Sequence, residues 1–187
     1  MSPNADKRAL RAELRRTRAA LDHRAGRQAR LLEHGRAARR GARVIAGYAA
    51  LGDEADPAEL LAAWSDAEVV YPRVEGPELR WLRCPPSALV AGSFGVREPP
   101  ADAPEVAPEA IDLFLVPGLG FTAEGARIGY GKGFYDRALA AARPDAVRLG
   151  IAFEVQIVKA LPTEPHDRFM HGLLTDAGLR WIVPRAG

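Results

Sequence analysis

The sequence predicts an α/β protein of three layers, α/β/α, Rossmann-like in its mainly parallel sheet and preceded by an N-terminal helical hairpin. Three observations carry that expectation. Short apolar runs of strand length alternate with helix-length stretches from residue 43 onward, the pattern of a sheet covered on both faces. In one run, "IDLFLVP" at 111–117, every residue after Asp112 is apolar and the run ends in proline, as a strand buried on both faces does. Before residue 43 the chain is rich in alanine, leucine and arginine, with a helical period. At 187 residues and 48% apolar content it fits one domain, 1–187, with a basic hairpin at 1–42 packed on an α/β body at 43–187.

The elements follow in order. "ADKRALRAELRRTRAALD" at 5–22 reads as a helix, because at 100° per residue Leu10, Leu14 and Leu21 form one narrow stripe. Lys7, Arg11 and Arg18 form a second stripe beside the leucines, at the rim of whatever the helix covers, while Arg8 and Arg16 point away. A second helix is expected over 25–40, stopping near Gly41. "RVIAGYAAL" then reads as a buried strand, and "DPAELLAAW" as a helix capped by Asp56 with Pro57 in its first turn. "EVVYP" and "LRWLRC" read as strands, and the proline-rich stretch from Cys84 to Ala110 as mostly loop. After "IDLFLVP" come a glycine loop, a helix over about 134–142, a strand "VRLGIAF", a helix "EVQIVKAL", and short strands near "GLLT" and "LRWIV".

Composition narrows the function classes. No apolar run is long enough to cross a bilayer, and the first residues lack a signal-peptide core, so a cytoplasmic protein without membrane contact is expected. Cys84, the sole cysteine, excludes an internal disulfide and a multi-cysteine metal site. The net charge of +2 hides an asymmetry: residues 1–43 hold thirteen Lys/Arg against four Asp/Glu, and the remainder thirteen against twenty. A basic arm on an acidic body raises nucleic acid as a partner, but a solvated helix pair accounts for it better, and some of these cations can serve a phosphate-bearing ligand.

The chemistry concentrates in "GYGKGFYD", 129–136. Gly129, Gly131 and Gly133 alternate with Tyr130 and Lys132, and a helix opens behind them. Amides bared by glycine, together with a helix N-terminus, make an anion cradle. Lys132 and Arg127 add charge, and Asp136 is placed to hold a Mg²⁺ on the same phosphates. Neither standard nucleotide motif fits. "PGLGFTA" at 117–123 lacks the helix that a dinucleotide fingerprint opens, and Lys132 is followed by Gly133 where a P-loop has Ser or Thr.

The stretch "LVPGLGF…GARIGYGKGFYDR" closely resembles the signature of the 5-formyltetrahydrofolate cyclo-ligases, also called 5,10-methenyltetrahydrofolate synthetases. The likeness also takes in "KRALRAELR", "LGDEADPAELL", "FGVREP" and "AFEVQIVKALPTEPHD", in the family's order. It implies an enzyme that uses ATP and Mg²⁺ to convert 5-formyltetrahydrofolate to 5,10-methenyltetrahydrofolate, releasing ADP and phosphate; a monomer is favoured. ATP would lie on Lys7, Arg11, Arg127 and the loop Gly129, Tyr130, Gly131, Lys132, Gly133, Phe134 and Tyr135. Lys132 and Arg127 would neutralise charge in the phosphoryl transfer. Leu51, Glu54 and Asp56, with Tyr130 and Phe134, would line the pterin pocket, and Trp64 is a further candidate wall. Asp136 matches one Mg²⁺ ligand position. At the second, many relatives carry aspartate where this chain has His171, a poor partner for a hard cation, with Asp167 a nearby substitute and His166 a packing residue. That departure leaves a folate- or nucleotide-binding paralogue without turnover as one alternative, and the basic arm leaves a nucleic-acid-binding module as another.

Overall fold

The computed structural model describes residues 3–165 and 167–182, with side chains from Asp6 onward; His166 and Val183 lie outside the described residues. The chain opens with α1 (Pro3–Ala19) and α2 (Arg24–Gly35), which form the expected hairpin. The second helix ends earlier than its alanine-rich sequence predicts. Turns carry the chain from Gly35 to Arg40 and Gly41, whose positive φ values of 51° and 78° bar any helix from passing the expected stop near Gly41. There follow β1 (Val44–Ala46), α3 (Ala58–Ala63), β2 (Glu68–Glu75) and β3 (Glu78–Arg83). Within the proline-rich stretch, β4 (Val90–Ala91) and β5 (Arg97–Glu98) form a small hairpin that the sequence does not announce. Next come β6 (Leu113–Pro117), β7 (Gly120–Thr122), β8 (Arg127–Ile128), α4 (Phe134–Ala141) and β9 (Val147–Ile151). The chain closes with β10 (Ile157–Val158), β11 (Gly172–Thr175) and β12 (Gly178–Trp181).

Seven strands make the main sheet in the order β12-β11-β9-β6-β1-β2-β3. Its five inner strands are parallel, and only the edge strands β3 and β12 run antiparallel to their neighbours. The unbroken apolar run of β6 has its cause here. Leu113 and Leu115 point into one core with Leu31 of α2 and Leu60 and Leu61 of α3, while Phe114 and Val116 point into the other with Ala138 and Leu139 of α4. Both faces are covered, so no position of β6 tolerates a polar residue. Trp81 of β3 packs edge-on against Phe114, ring centroids 5.4 Å apart.

A second sheet, β10-β7-β8, stands beside the carboxyl end of β6. It replaces the helix expected for "EVQIVKAL", of which only a single 3₁₀ turn forms, Glu154–Gln156. Gln156 dictates this. Buried to 2% exposure, it accepts the Phe153 amide at 2.9 Å and donates to the carbonyls of Gly118 (2.9 Å) and Leu119 (3.2 Å). The β-branched Ile157 and Val158 then add a strand to β7. Helix α1 lies over this small sheet through Leu10 and Leu14, which pack with Leu119 and Ile128. Gly120 permits the approach, because a Cβ there would stand 2.9 Å from Leu14. Among the described residues no helix is long and apolar enough to cross a membrane.

Candidate functional site

A cavity of about 630 Å³ opens at the carboxyl ends of the parallel strands, where α/β sheets bind ligands. Pro117 at the end of β6 and Tyr48, Ala49 and Leu51 beyond β1 form its floor. The glycine loop, α1 and the β4–β5 hairpin form its walls.

The glycine loop runs from β8 into α4. Gly131 and Gly133 have φ of 92° and 70°, left-handed values that a side chain resists. Gly131 is bare for a second reason: a Cβ there would meet the Arg11 guanidinium carbon at 3.0 Å. Arg11 lies across the loop and donates from Nε to the Gly129 carbonyl at 3.0 Å. Arg127, 6% exposed at its side chain, runs underneath, donating to Asp136 Oδ1 at 2.9 Å from the first turn of α4. Its Nε is buried without a hydrogen-bond partner. Lys132 projects from the loop with its ammonium 5.3 Å from the ring of Phe94. Lys7, one turn before Arg11, pairs with Glu164 at 3.1 Å. Four cations thus converge on one loop at a helix N-terminus, an arrangement that attracts a polyanion.

At the other end of α1 the side chains form a polar network, of whose buried atoms only Arg18 Nη1, 3.6 Å from Glu54, has no hydrogen-bond partner among the described residues. Arg18, 4% exposed, donates to Asp53 Oδ1 from Nε (3.0 Å) and Nη2 (2.6 Å) and to the Tyr130 hydroxyl at 3.0 Å. Tyr130 in turn donates to Glu54 Oε1 at 2.6 Å, and Glu54 Oε2 accepts the Leu51 amide at 2.9 Å. Burial and the neighbouring Glu54 push the Tyr130 phenol up to about 12, with Arg18 opposing, so it is a neutral donor at physiological pH. Arg15 stacks over its ring at 5.0 Å.

Of the residues singled out in the sequence, Lys7, Arg11, Leu51, Glu54, Arg127 and the whole segment Gly129–Asp136 line this one cavity. Three others do not. Asp56 turns away: its Oδ1 accepts the Ala58 amide at 2.9 Å, its backbone pairs with Gln28 of α2, and the N-cap of α3 is Pro57 rather than the expected Asp56. Trp64 is buried in the main core, donating to the Arg36 carbonyl at 3.2 Å. His171 precedes β11 and so sits at the amino end of the parallel strands, where its ring accepts the Arg148 amide at 3.1 Å. Burial and Arg148 push its pKa down, which keeps it neutral. Asp167, by contrast, lines the cavity.

Sequence reasoning passed over Arg15, Phe94, Glu98 and Glu164, and assigned Arg18 no role in the site. The helical stripe already held Arg18, and "FGVREP" held Phe94 and Glu98, but no local period marks a hairpin of two-residue strands. The arm's charge is largely used within the chain. Arg24 bonds two carbonyls, Arg27 reaches Asp176 at 2.8 Å, and Arg39 pairs with Asp66.

Donor chemistry decides what the site can hold. Among the described residues no three His, Cys, Asp or Glu side chains are grouped to cage a metal ion. The cavity instead presents the carboxylates of Asp136 and Asp167 beside the cationic loop. That set suits a hard cation which keeps its waters and binds mainly through phosphate oxygens, the habit of Mg²⁺.

Known proteins share both chain and fold. A solved 5,10-methenyltetrahydrofolate synthetase from Aquifex aeolicus superposes with a TM-score of 0.79 at 31% identity, covering 97% of this chain and 94% of that one. The synthetase from Mycoplasma pneumoniae shares the fold, with a TM-score of 0.75 at 23% identity over 91% of this chain and 99% of that one. A 5-formyltetrahydrofolate cyclo-ligase from Mycolicibacterium smegmatis is 41% identical over 100 residues, 52% of this chain and 50% of the relative, so the matched segment spans about half the length of that curated relative. The family model of the 5-formyltetrahydrofolate cyclo-ligases matches residues 3–176, which takes in every wall of the cavity from Lys7 to Asp167. A glycine loop clamped by an arginine, a helix of cations and a match of that extent place this chain in the 5-formyltetrahydrofolate cyclo-ligase family.

Proposed function

We propose that the cavity binds ATP and 5-formyltetrahydrofolate side by side and makes 5,10-methenyltetrahydrofolate, ADP and phosphate. The observation that carries this reading is the Arg11 clamp. The residue that holds the glycine loop open for phosphate belongs to the same helix whose far end positions Tyr130 and Glu54 at the other side of one cavity.

A formamide oxygen is a poor leaving group, so N10 of the folate cannot displace it unaided. In the proposed reaction the formyl oxygen takes the γ-phosphoryl group from ATP, N10 attacks the same carbon to close the ring, and the oxygen departs with phosphate. The chain's part is positioning and charge neutralisation. The Gly129–Gly133 amides and the start of α4 receive the phosphates, and Lys132, Arg127, Arg11 and Lys7 surround them. Asp136, with Asp167, would hold Mg²⁺, which when bound offsets phosphate charge. Leu51, Glu54, Tyr130 and Phe134 bound the space for the pterin.

The test is the appearance of methenyl absorbance together with ADP release, with and without Mg²⁺. Both should require ATP and 5-formyltetrahydrofolate. Protein that yields neither with both substrates and Mg²⁺ overturns the proposal.

A further inference from the structure

We infer that Glu98, on β5, is the carboxylate that reads the donor edge of the folate's pterin ring; this rests on the proposed function. A 2-amino-4-oxo pterin presents its N3–H and a 2-amino N–H side by side, a spacing that matches the two oxygens of one carboxylate. Asp56 is turned toward the first amide of α3, and Glu54 already serves the Tyr130 hydroxyl, the Leu51 amide and the Arg18 guanidinium 3.6 Å away.

Glu98 differs from both. Its side chain is 3% exposed yet lines the cavity, on the wall that Pro72, Val74, Leu79 and Val96 otherwise make apolar. A carboxylate buried in such a wall is costly unless something compensates it. Its compensation within the chain is light. Oε1 accepts the Ser93 amide at 3.1 Å, and Oε2 stands 3.6 Å from Arg73, whose Nη1 gives its hydrogen bond to the Pro99 carbonyl at 2.8 Å. A carboxylate has about four acceptor positions, so capacity remains for two ligand N–H groups. The hairpin is also shaped around it: a Cβ at Gly92 would overlap the Glu98 carboxyl. Phe94, at the tip of the same hairpin, tilts against Phe134 with ring centroids 6.1 Å apart, so the segment that carries Glu98 also meets the glycine loop.

The test compares 5-formyltetrahydrofolate with its 2-desamino analogue, by direct binding, in wild-type protein, Glu98→Gln and Gly92→Ala. Wild type should prefer the natural ligand by about 10- to 100-fold, the discrimination that a charged hydrogen bond provides. Glu98→Gln should shrink the preference to about threefold or less while leaving the Kd for ATP within about twofold. Gly92→Ala, which keeps the carboxylate but displaces it, should do the same. A wild type that binds both ligands equally, or variants that keep the preference, overturns the assignment of Glu98. A wild type that binds neither ligand and turns over nothing overturns the proposed function itself.

Discussion

Replacing Arg18 with methionine tests how firmly α1 is tied to the cavity. The guanidinium is 4% exposed and holds Asp53 through two bonds to Oδ1, at 3.0 and 2.6 Å, and Tyr130 through one at 3.0 Å. Asp53 is 31% exposed, so water can take over its solvation, and that pair counts near the surface value of about 1 kcal/mol. Glu54 is 7% exposed and keeps only the Tyr130 and Leu51 bonds, so leaving it without its cation adds about 2–3 kcal/mol. The sum, about 3–4 kcal/mol, corresponds to a melting point lower by about 6–16 °C for a chain of this size. The penalty depends on pH in a defined direction. Asp53 has its carboxyl held below the ordinary 3.8, with burial opposed by the Arg18 bond and charge. A depressed carboxylate contributes stability that is complete above its unfolded pKa and is lost as pH falls through the folded one. The gap between wild type and Arg18→Met should therefore hold from neutrality down to about pH 4 and narrow below it. Urea denaturation midpoints across that range measure it. A loss under about 1 kcal/mol at neutral pH would refute the argument that this cation secures Glu54 and Tyr130.

Three further outcomes bear on the loop. Lys132→Ala removes an exposed side chain whose ammonium sits over the Phe94 ring, so the melting point should hardly move while kcat falls about 10²- to 10³-fold; Arg16→Ala, on the exposed face of α1, should change neither, and equal effects would refute the placement of Lys132 at the reacting phosphates. Gly131→Ala forces a side chain into φ 92° against Arg11, which should cost about 1–2 kcal/mol of stability and weaken ATP binding about tenfold or more, measured by nucleotide titration. Asp136→Asn keeps a hydrogen-bond acceptor for Arg127 but loses the charge, so the Mg²⁺ concentration for half-maximal activity should rise about tenfold, with metal-free ATP binding changed by less than about threefold.

Where a residue's role is local, the sequence displayed it. The apolar run of β6 needs no context, because a strand with helices on both faces can take nothing else. The leucines of α1 and the cations beside them follow from helical geometry alone, and Arg11 reaches the loop as the wheel allows. Where the role depends on a distant partner, local pattern misled. Residues 154–161 have a helix-like composition, yet Gln156 bonds carbonyls near residue 118 and the following β-branched pair completes a sheet with β7. Asp56 and Glu54 are two residues apart, and only the start of α3 separates their fates: the carboxylate before Pro57 is drawn to a helix amide, and the other is left for Tyr130. Glu98 gave no sign, since two-residue strands have no period to read.

The position of α1 explains why a basic arm and a glycine loop occur in one chain. Lys7, Arg11, Arg15 and Arg18 follow one another at helical spacing and span about 16 Å at 1.5 Å per residue. Lys7 and Arg11 meet the glycine-loop end of the cavity, Arg15 and Arg18 the Tyr130 and Glu54 end. Loops carrying the same charges would each lose conformational entropy on binding, whereas a helix orders them once, during folding. Its height over the sheet is fixed by Leu14 against Gly120, and its rotation by Arg18 against Asp53. Tyr130 completes the connection, because it stands in the glycine loop itself, between Gly129 and Gly131, and bonds to both Arg18 and Glu54. Any shift of the loop must therefore displace a hydroxyl bonded to Arg18 and Glu54, the side proposed for the pterin. The two ends of the cavity are thus mechanically one unit, which is what the proposed transfer of a phosphoryl group to a formyl oxygen would require.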